Sequence, residues 1–254
     1  MTKLSYQLYS SRNFPPLEST FSMLADIGYS QVEGYGSLYD SPAELASLLN
    51  NAGLTMPSGH FGLDELETNP EKTLETARLL SMTAIYCPFL DASERPDDKP
   101  GWQSFGKRLT EAGKPYRDAG FKFGWHNHDF EFQSLNDGSL PIEAIFEGGP
   151  ELSWEADIAW IVRGGADPLY WIERLGNHIS AVHLKDIAKA DENLDEDGWS
   201  DVGYGTMDWP GLLDSLKSTP CDLYVIEHDN PGDHERFAHR SYQKVQEIIE
   251  SPSN

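Results

Sequence analysis

Apolar runs of five or six residues punctuate the chain, and between them lie longer Leu- and Ala-rich stretches whose apolar positions recur every three or four residues. The short runs predict strands over residues 4–9, 31–35, 55–60, 83–88, 122–126, 152–157, 179–184 and 223–227. The longer stretches predict helices over residues 17–27, 42–52, 70–81, 102–119, 142–147, 169–175 and 210–216. In the first of these, Leu17, Phe21, Leu24 and Ile27 share one helical face. Gly28, Gly53 and Gly120 each lie just past a predicted helix, where a left-handed residue closes the last turn. Ser41-Pro42 and Asn69-Pro70 place a capping residue before a first-turn proline. Eight strands alternating with helices predict an α/β protein, a single (β/α)8 TIM barrel. No long linker or break in composition divides residues 1–254, so one domain is expected.

Composition narrows the partners. The 19 Lys and Arg stand against 42 Asp and Glu, for a net charge of −23. Phosphate binding needs clustered cations, so nucleic acid and anionic membranes are disfavoured. No segment approaches the roughly 20 apolar residues that span a bilayer. Residues 1–12 lack the apolar region of a secretory signal. The two cysteines, Cys87 and Cys221, lie far apart without metal-site spacing, which points to a reducing cytoplasm. A homo-oligomer is left open.

The candidate chemistry gathers where predicted strands end. The fifth strand finishes in Trp125-His126-Asn127-His128-Asp129-Phe130-Glu131-Phe132. Similar endings follow: Trp154-Glu155-Ala156-Asp157, then Val182-His183-Leu184-Lys185-Asp186, then Val225-Ile226-Glu227-His228-Asp229. Alternation along a strand puts His126 with His128, Glu155 with Asp157, and His183 with Lys185 on shared faces. A divalent ion is held by carboxylates together with imidazole. Four successive strands offer that set: Glu131 or His126, then Asp157, His183 and Glu227. The loops at residues 91–101 and 190–199 follow the fourth and seventh strands, on the face where barrels build active sites. The second reads either as surface or as a mobile lid.

These residues carry a resemblance. The chain resembles the xylose isomerase-like barrel superfamily, the sugar phosphate isomerases and epimerases, from its first strand to its eighth. The most specific piece is His126-Asn127-His128-Asp129-Phe130-Glu131-Phe132. It is joined by Asp157 with Trp160, by Gly165-Ala166-Asp167-Pro168, by His183-Leu184-Lys185-Asp186, and by the Gly203–Trp209 turn. The resemblance implies one divalent metal ion (Mn, Mg, Co or Zn) bound by Glu131, Asp157, His183 and Glu227, with His126 as the alternative to Glu131.

The resemblance further implies proton abstraction beside the carbonyl of a keto-sugar or keto-polyol. Glu227 is then a base candidate, and His126, His128 and Lys185 are further catalytic candidates. Glu33, His60, Trp160 and His228 are expected to contact substrate, with barrel packing as the other reading of Trp160. Return of the proton makes an isomerase or epimerase of carbohydrate metabolism, with manganese a typical ion. Loss of a β-leaving group instead makes a lyase or dehydratase, as in the inosose dehydratases and keto-glycoside eliminases that share the run. The absence of a glycine-rich phosphate cradle favours an unphosphorylated substrate. An abasic-site endonuclease conflicts with the charge of −23, and a non-catalytic sugar-binding barrel would lack the ion.

Overall fold

A computed structural model describes residues 3–251. Eight parallel strands close into a barrel: β1 (Leu4–Gln7), β2 (Gln31–Gly34), β3 (Thr55–His60), β4 (Ala84–Cys87), β5 (Lys122–His126), β6 (Ser153–Asp157), β7 (Ile179–Leu184) and β10 (Leu223–Ile226). β1 pairs with both β2 and β10, which seals the ring. A short antiparallel hairpin of β8 (Asp186–Ile187) and β9 (Trp199–Ser200) projects after β7. Around the barrel lie α1 (Leu17–Ile27), α2 (Pro42–Ala52), α3 (Leu63–Thr68), α4 (Pro70–Leu79), α5 (Lys99–Asp118), α6 (Pro141–Gly148), α7 (Ile158–Arg163), α8 (Pro168–Leu175), α9 (Trp209–Leu216) and α10 (His234–Glu250). The (β/α)8 barrel expected from the alternating pattern is what forms.

Every barrel strand falls within one or two residues of its expected span. β1 stops early because the Gln7 side chain accepts from the Tyr9 amide and turns the chain into a 3-10 segment. Three helices escaped the pattern. α3 and α7 have six residues each, too short for periodicity to register. α10 is long but strongly polar, and buries only the stripe of Phe237, Ala238, Ser241 and Val245. Gly28, Gly53 and Gly120 do take positive φ. Ser41 and Asn69 stand at their expected N-terminal positions, yet neither side chain makes a capping hydrogen bond. That work falls to aspartates, among them Asp98, Asp157, Asp167, Asp208 and Asp233, whose carboxylates accept from amides of the first turn.

Side chains alternate across the sheet and divide the core into two shells. Outward residues such as Val32, Ile85, Phe123, Trp125, Trp154, Val182 and Ile226 pack beneath the helices in one large apolar cluster. Inside, Ala84, Tyr86, Ala181 and Leu223 make a small apolar plug near the strand starts. Toward the strand ends the interior turns polar, and Gln7, Glu33, Ser58, Glu155, Asp157, His183 and Lys185 are all buried. Cross-strand register levels these groups: Gln7 pairs with Glu33, Glu33 with Ser58, His126 with Glu155, and Asp157 with His183. The last match depends on a register irregularity between Trp154 and Glu155.

The loop at residues 190–199 is fastened rather than free. Asn193 Nδ2 donates to the Trp199 carbonyl at 2.9 Å, Arg163 donates to the Asp197 carbonyl at 2.6 Å, and Arg236 pairs with Glu196 at 2.9 Å. α5 and α6 press so closely that a Cβ on Gly106 would come within 2.1 Å of the Ile145 carbonyl oxygen. Gly106→Ala is therefore expected to destabilise the fold by about 1–3 kcal/mol through overpacking, read from the midpoint of chemical denaturation.

Candidate functional site

The fifth and sixth strands end in a clamp. Asn127 Oδ1 accepts from Trp154 Nε1 at 2.8 Å and from the Asp157 amide at 3.0 Å, while its Nδ2 donates to the Asp157 carbonyl at 3.1 Å. One buried amide thus fixes the backbone on which Asp157 stands. Asp157 in turn caps α7, its Oδ1 accepting from the Trp160 amide at 2.9 Å. The other carboxylate oxygen, Oδ2, faces the mouth and meets Lys185 Nζ at 3.2 Å.

His183 occupies the centre. Its Nε2 lies 2.7 Å from Glu33 Oε1 and 3.4 Å from Glu155 Oε2, and its Nδ1 lies 2.8 Å from Glu227 Oε2 and 3.9 Å from Asp157 Oδ2. Burial opposes a charge on this ring, but Glu155, Glu227 and Glu33 overcome it and hold the imidazole well above its usual value. His60 behaves alike: burial is outweighed by Glu155, 2.5 Å away, and by Glu33. Burial likewise works against ionised Glu155, and His183 and His60 reverse it, holding this carboxyl well below its usual range. Burial and the neighbouring Glu155 push Glu33 the other way, upward.

Lys185 is almost wholly buried, with Glu227 at 2.9 Å, Asp229 at 2.8 Å and Asp157 at 3.2 Å. Those carboxylates outweigh its desolvation and raise its pKa, so it remains an ammonium. Its Nζ also lies 4.7 Å from the centre of the Trp199 ring and 5.2 Å from that of Trp160, within cation–π range. Glu227 is held ionised, its burial overcome by Lys185 and His183. Asp157 is drawn up to about 6 by burial, against the pull of Lys185. Two neutral imidazoles complete the wall: burial and nearby His183 lower His126 to about 3, and burial with His126 lowers His128 well below its usual value. His128 Nδ1 is buried without a hydrogen-bond partner.

These groups open into a cavity of about 490 Å³, whose lining includes Tyr9, Tyr35, His60, Phe89, His126, His128, Trp160, Lys185 and Glu227. Two donor sets lie within 4.8 Å reach: His60, His126, Glu155 and His183, and separately Asp157, His183 and Glu227. The chemistry of both suits a divalent cation, and so does the charge. Five carboxylates, Glu33, Glu155, Asp157, Glu227 and Asp229, outnumber Lys185 and the two imidazoles held toward their charged forms, His60 and His183, within one buried region, and an added cation relieves that surplus.

Of the residues expected at the site, Asp157, His183, Glu227, Lys185, His126, His128, His60 and Trp160 gather around the mouth. Glu33 sits beneath the cluster, bonded to Gln7 Nε2 at 2.8 Å and to Ser58. His228 is buried behind it, against Phe237, where its Nδ1 accepts from the Asn230 amide. Glu131 goes elsewhere. The 3-10 turn Phe130–Phe132 folds it back under the loop, where Trp125 Nε1 donates to it at 2.8 Å and the His128 amide at 2.9 Å. At the tip of β5 it is His126 that joins a donor set. The strand pattern assigned no role to Glu155, Asn127 or Asp229. Glu155 was visible in principle, two residues before Asp157 on the same face. The Asn127 clamp depends on contacts across strands and had no local signal.

Burial raises Glu131 from the usual 4.5 to about 8, although the two N–H donors pull it down. The folded chain thus favours the protonated acid. Its contribution to stability is full below about pH 4.5 and is lost as pH rises through about 8. Between pH 5 and 8.5, the stability of wild type relative to Glu131→Gln should fall by on the order of 1–4 kcal/mol, measured by urea unfolding at each pH. A pH-independent difference would show Glu131 already ionised in the fold.

The fold has many solved relatives. A sugar phosphate isomerase/epimerase from Parabacteroides distasonis ATCC 8503 superposes with a TM-score of 0.82 at 18% identity, covering 98% of this chain and 96% of that one. The IolI protein with a bound zinc atom gives 0.76 at 15%, covering 98% and 96%. The probable 3-DHS dehydratase AsbF of petrobactin synthesis, from Bacillus anthracis, gives 0.72 at 15%, covering 96% and 99%. At such identities the likeness is one of fold. No curated protein matches the chain in sequence. No helix among the described residues is long and apolar enough to cross a membrane. The closed parallel barrel agrees with a family model that matches residues 21–250, and the chain belongs to the xylose isomerase-like TIM barrel family.

Proposed function

We propose that the chain is a divalent-metal-dependent enzyme that removes a proton beside the carbonyl of a keto-sugar or keto-polyol and returns it, as an isomerase or epimerase. The observation that carries this reading is the convergence of Asp157, His183 Nδ1 and Glu227 at the mouth of a cavity of about 490 Å³, beside a lysine kept cationic. Asp157, His183 and Glu227 are the proposed ligands. When bound, the ion would polarise the substrate carbonyl and acidify the adjacent C–H bond.

The chain's own groups then divide the remaining work. Glu227, ionised and lining the cavity, takes the proton from carbon. Lys185 cannot serve as a base while three carboxylates hold its proton, so it donates toward the oxygen on which charge develops. His128, neutral and with an unpartnered Nδ1, is suited to relay a proton to or from a substrate hydroxyl. Trp160 and the half-exposed Phe89 offer ring faces to a sugar. Arg12 and Lys185 are the cations lining the cavity; Arg12 is bonded to the Tyr9 and Asp229 carbonyls and Lys185 is ringed by acids. That supports an unphosphorylated substrate. The charge of −23 supports a small molecule over nucleic acid, and the free Cys87 and Cys221 fit a reducing cytoplasm.

Incubation of the metal-loaded protein with a panel of keto-sugars in deuterated water, followed by NMR, tests the proposal. Exchange at the carbon beside the carbonyl without loss of a substituent is expected. A new enone product would make the enzyme a lyase through the same first step. Glu227→Gln should lower exchange by at least about 100-fold while circular dichroism stays unchanged. Wild-type exchange in that variant would remove Glu227 from both roles.

A further inference from the structure

We infer a second cation site, deeper in the barrel than the first, formed by His60, His126 and Glu155. It stands independently of the reaction proposed above. Its origin is the geometry around one carboxylate oxygen. His60 Nε2 lies 2.5 Å from Glu155 Oε2, His126 Nδ1 lies 3.1 Å from it, and His183 Nε2 lies 3.4 Å from it. Three imidazole nitrogens thus crowd a single acceptor. The other oxygen of the same group, Glu155 Oε1, is fully buried and has no hydrogen-bond partner among the described residues.

A protein-only arrangement with one overloaded oxygen and one bare oxygen in a buried carboxylate wastes hydrogen-bonding capacity. A cation seated among these atoms removes the mismatch, because it takes lone pairs from the carboxylate and from both imidazoles instead of forcing the nitrogens toward one oxygen.

The donor set also predicts the kind of ion. Two imidazoles and one carboxylate with an open side toward a cavity form the three-ligand pattern of borderline ions such as zinc. The Asp157–His183–Glu227 set is richer in carboxylate and suits harder ions better. The two sets meet at His183, whose Nε2 faces the deeper group and whose Nδ1 faces the outer one. Behind the deeper set Glu33 lies 2.7 Å from His183 Nε2, a carboxylate placed to orient that ring. His60 and His126 line the cavity, which supplies an entry path. His60 is thereby a ligand rather than a substrate contact.

The test is metal stoichiometry. Full-length protein stripped with a chelator is titrated with Zn²⁺ alone, freed of excess by gel filtration, and its metal counted by mass spectrometry. Wild type is expected to hold two ions per chain. His60→Gln, which keeps a polar side chain of similar length, should hold one, and so should Glu155→Gln. Glu227→Gln should also hold one, and combining it with His60→Gln should leave none. Circular dichroism confirms that each variant is folded. A wild type with one ion, lost in Glu227→Gln and kept in His60→Gln, overturns the second site and leaves the functional proposal standing. Two ions retained in folded His60→Gln and Glu155→Gln overturn it as well. A wild type without any bound zinc overturns the second site, whereas the functional proposal, which names no particular ion, is decided by the deuterium-exchange experiment.

Discussion

One buried imidazole holds the mouth of this barrel together. His183 reaches Glu33 with one ring nitrogen and Glu227 with the other, each within 2.8 Å. Glu227 stands just past the end of β10, the neighbour of β7, and Glu33 on β2, with β10 and β1 between it and β7, so the ring ties β7 to an adjacent strand and to a distant one across the interior. Both nitrogens face acceptors, which demands a proton on each, and the surrounding acids provide the field that keeps the ring charged. Lys185 extends the same arrangement outward to Asp157, Glu227 and Asp229. Even so, acids outnumber bases, and a surplus of buried negative charge is costly unless a cation shares it. The capacity of the mouth to hold a cation and its cohesion are therefore two aspects of one electrostatic constraint.

That constraint is tolerable because the layers beneath it are conventional. The apolar plug of Ala84, Tyr86, Ala181 and Leu223 closes the strand starts, and a broad shell of aliphatic and aromatic side chains joins the barrel to its helices. The buried charged groups lie at the strand ends, where Glu33, Glu155, Asp157, His183 and Glu227 each meet a partner on another strand or beyond its end. Function sits where stability can least be supplied by apolar burial, and hydrogen bonding replaces it.

The electrostatic division within the mouth shapes its chemistry. His60 and His183 are pushed toward their charged forms by the acids around them, whereas His126 and His128 are kept neutral by burial. Four histidines of one cluster thus take two different states. The neutral pair has a free ring lone pair as it stands, whereas His60 and His183 organise carboxylates and give up a proton when a cation takes its place. Residue type alone gives no hint of this division, because it depends on distance to Glu155 and Glu227.

How far the chain could be read without its fold follows from the range of each interaction. Strand and helix positions were legible because alternation and helical spacing are local, and Asp157, His183, Lys185 and Glu227 were legible because each ends an apolar run. By itself, the sequence determined the barrel, the end of it that carries chemistry, and the acid-rich character of that end. The tertiary structure alone decided which groups meet. Glu131 lies five residues beyond His126, yet a 3-10 turn sends it to Trp125, behind the wall. Glu155 becomes central only because the register of β5 with β6 levels it with His126. Asn127 becomes a clamp only because β6 passes beside it. The Glu131 outcome rests on a turn that strand alternation does not encode, and the other two rest on contacts 29 and 30 positions apart, which the pairing of β5 with β6 brings within bonding distance.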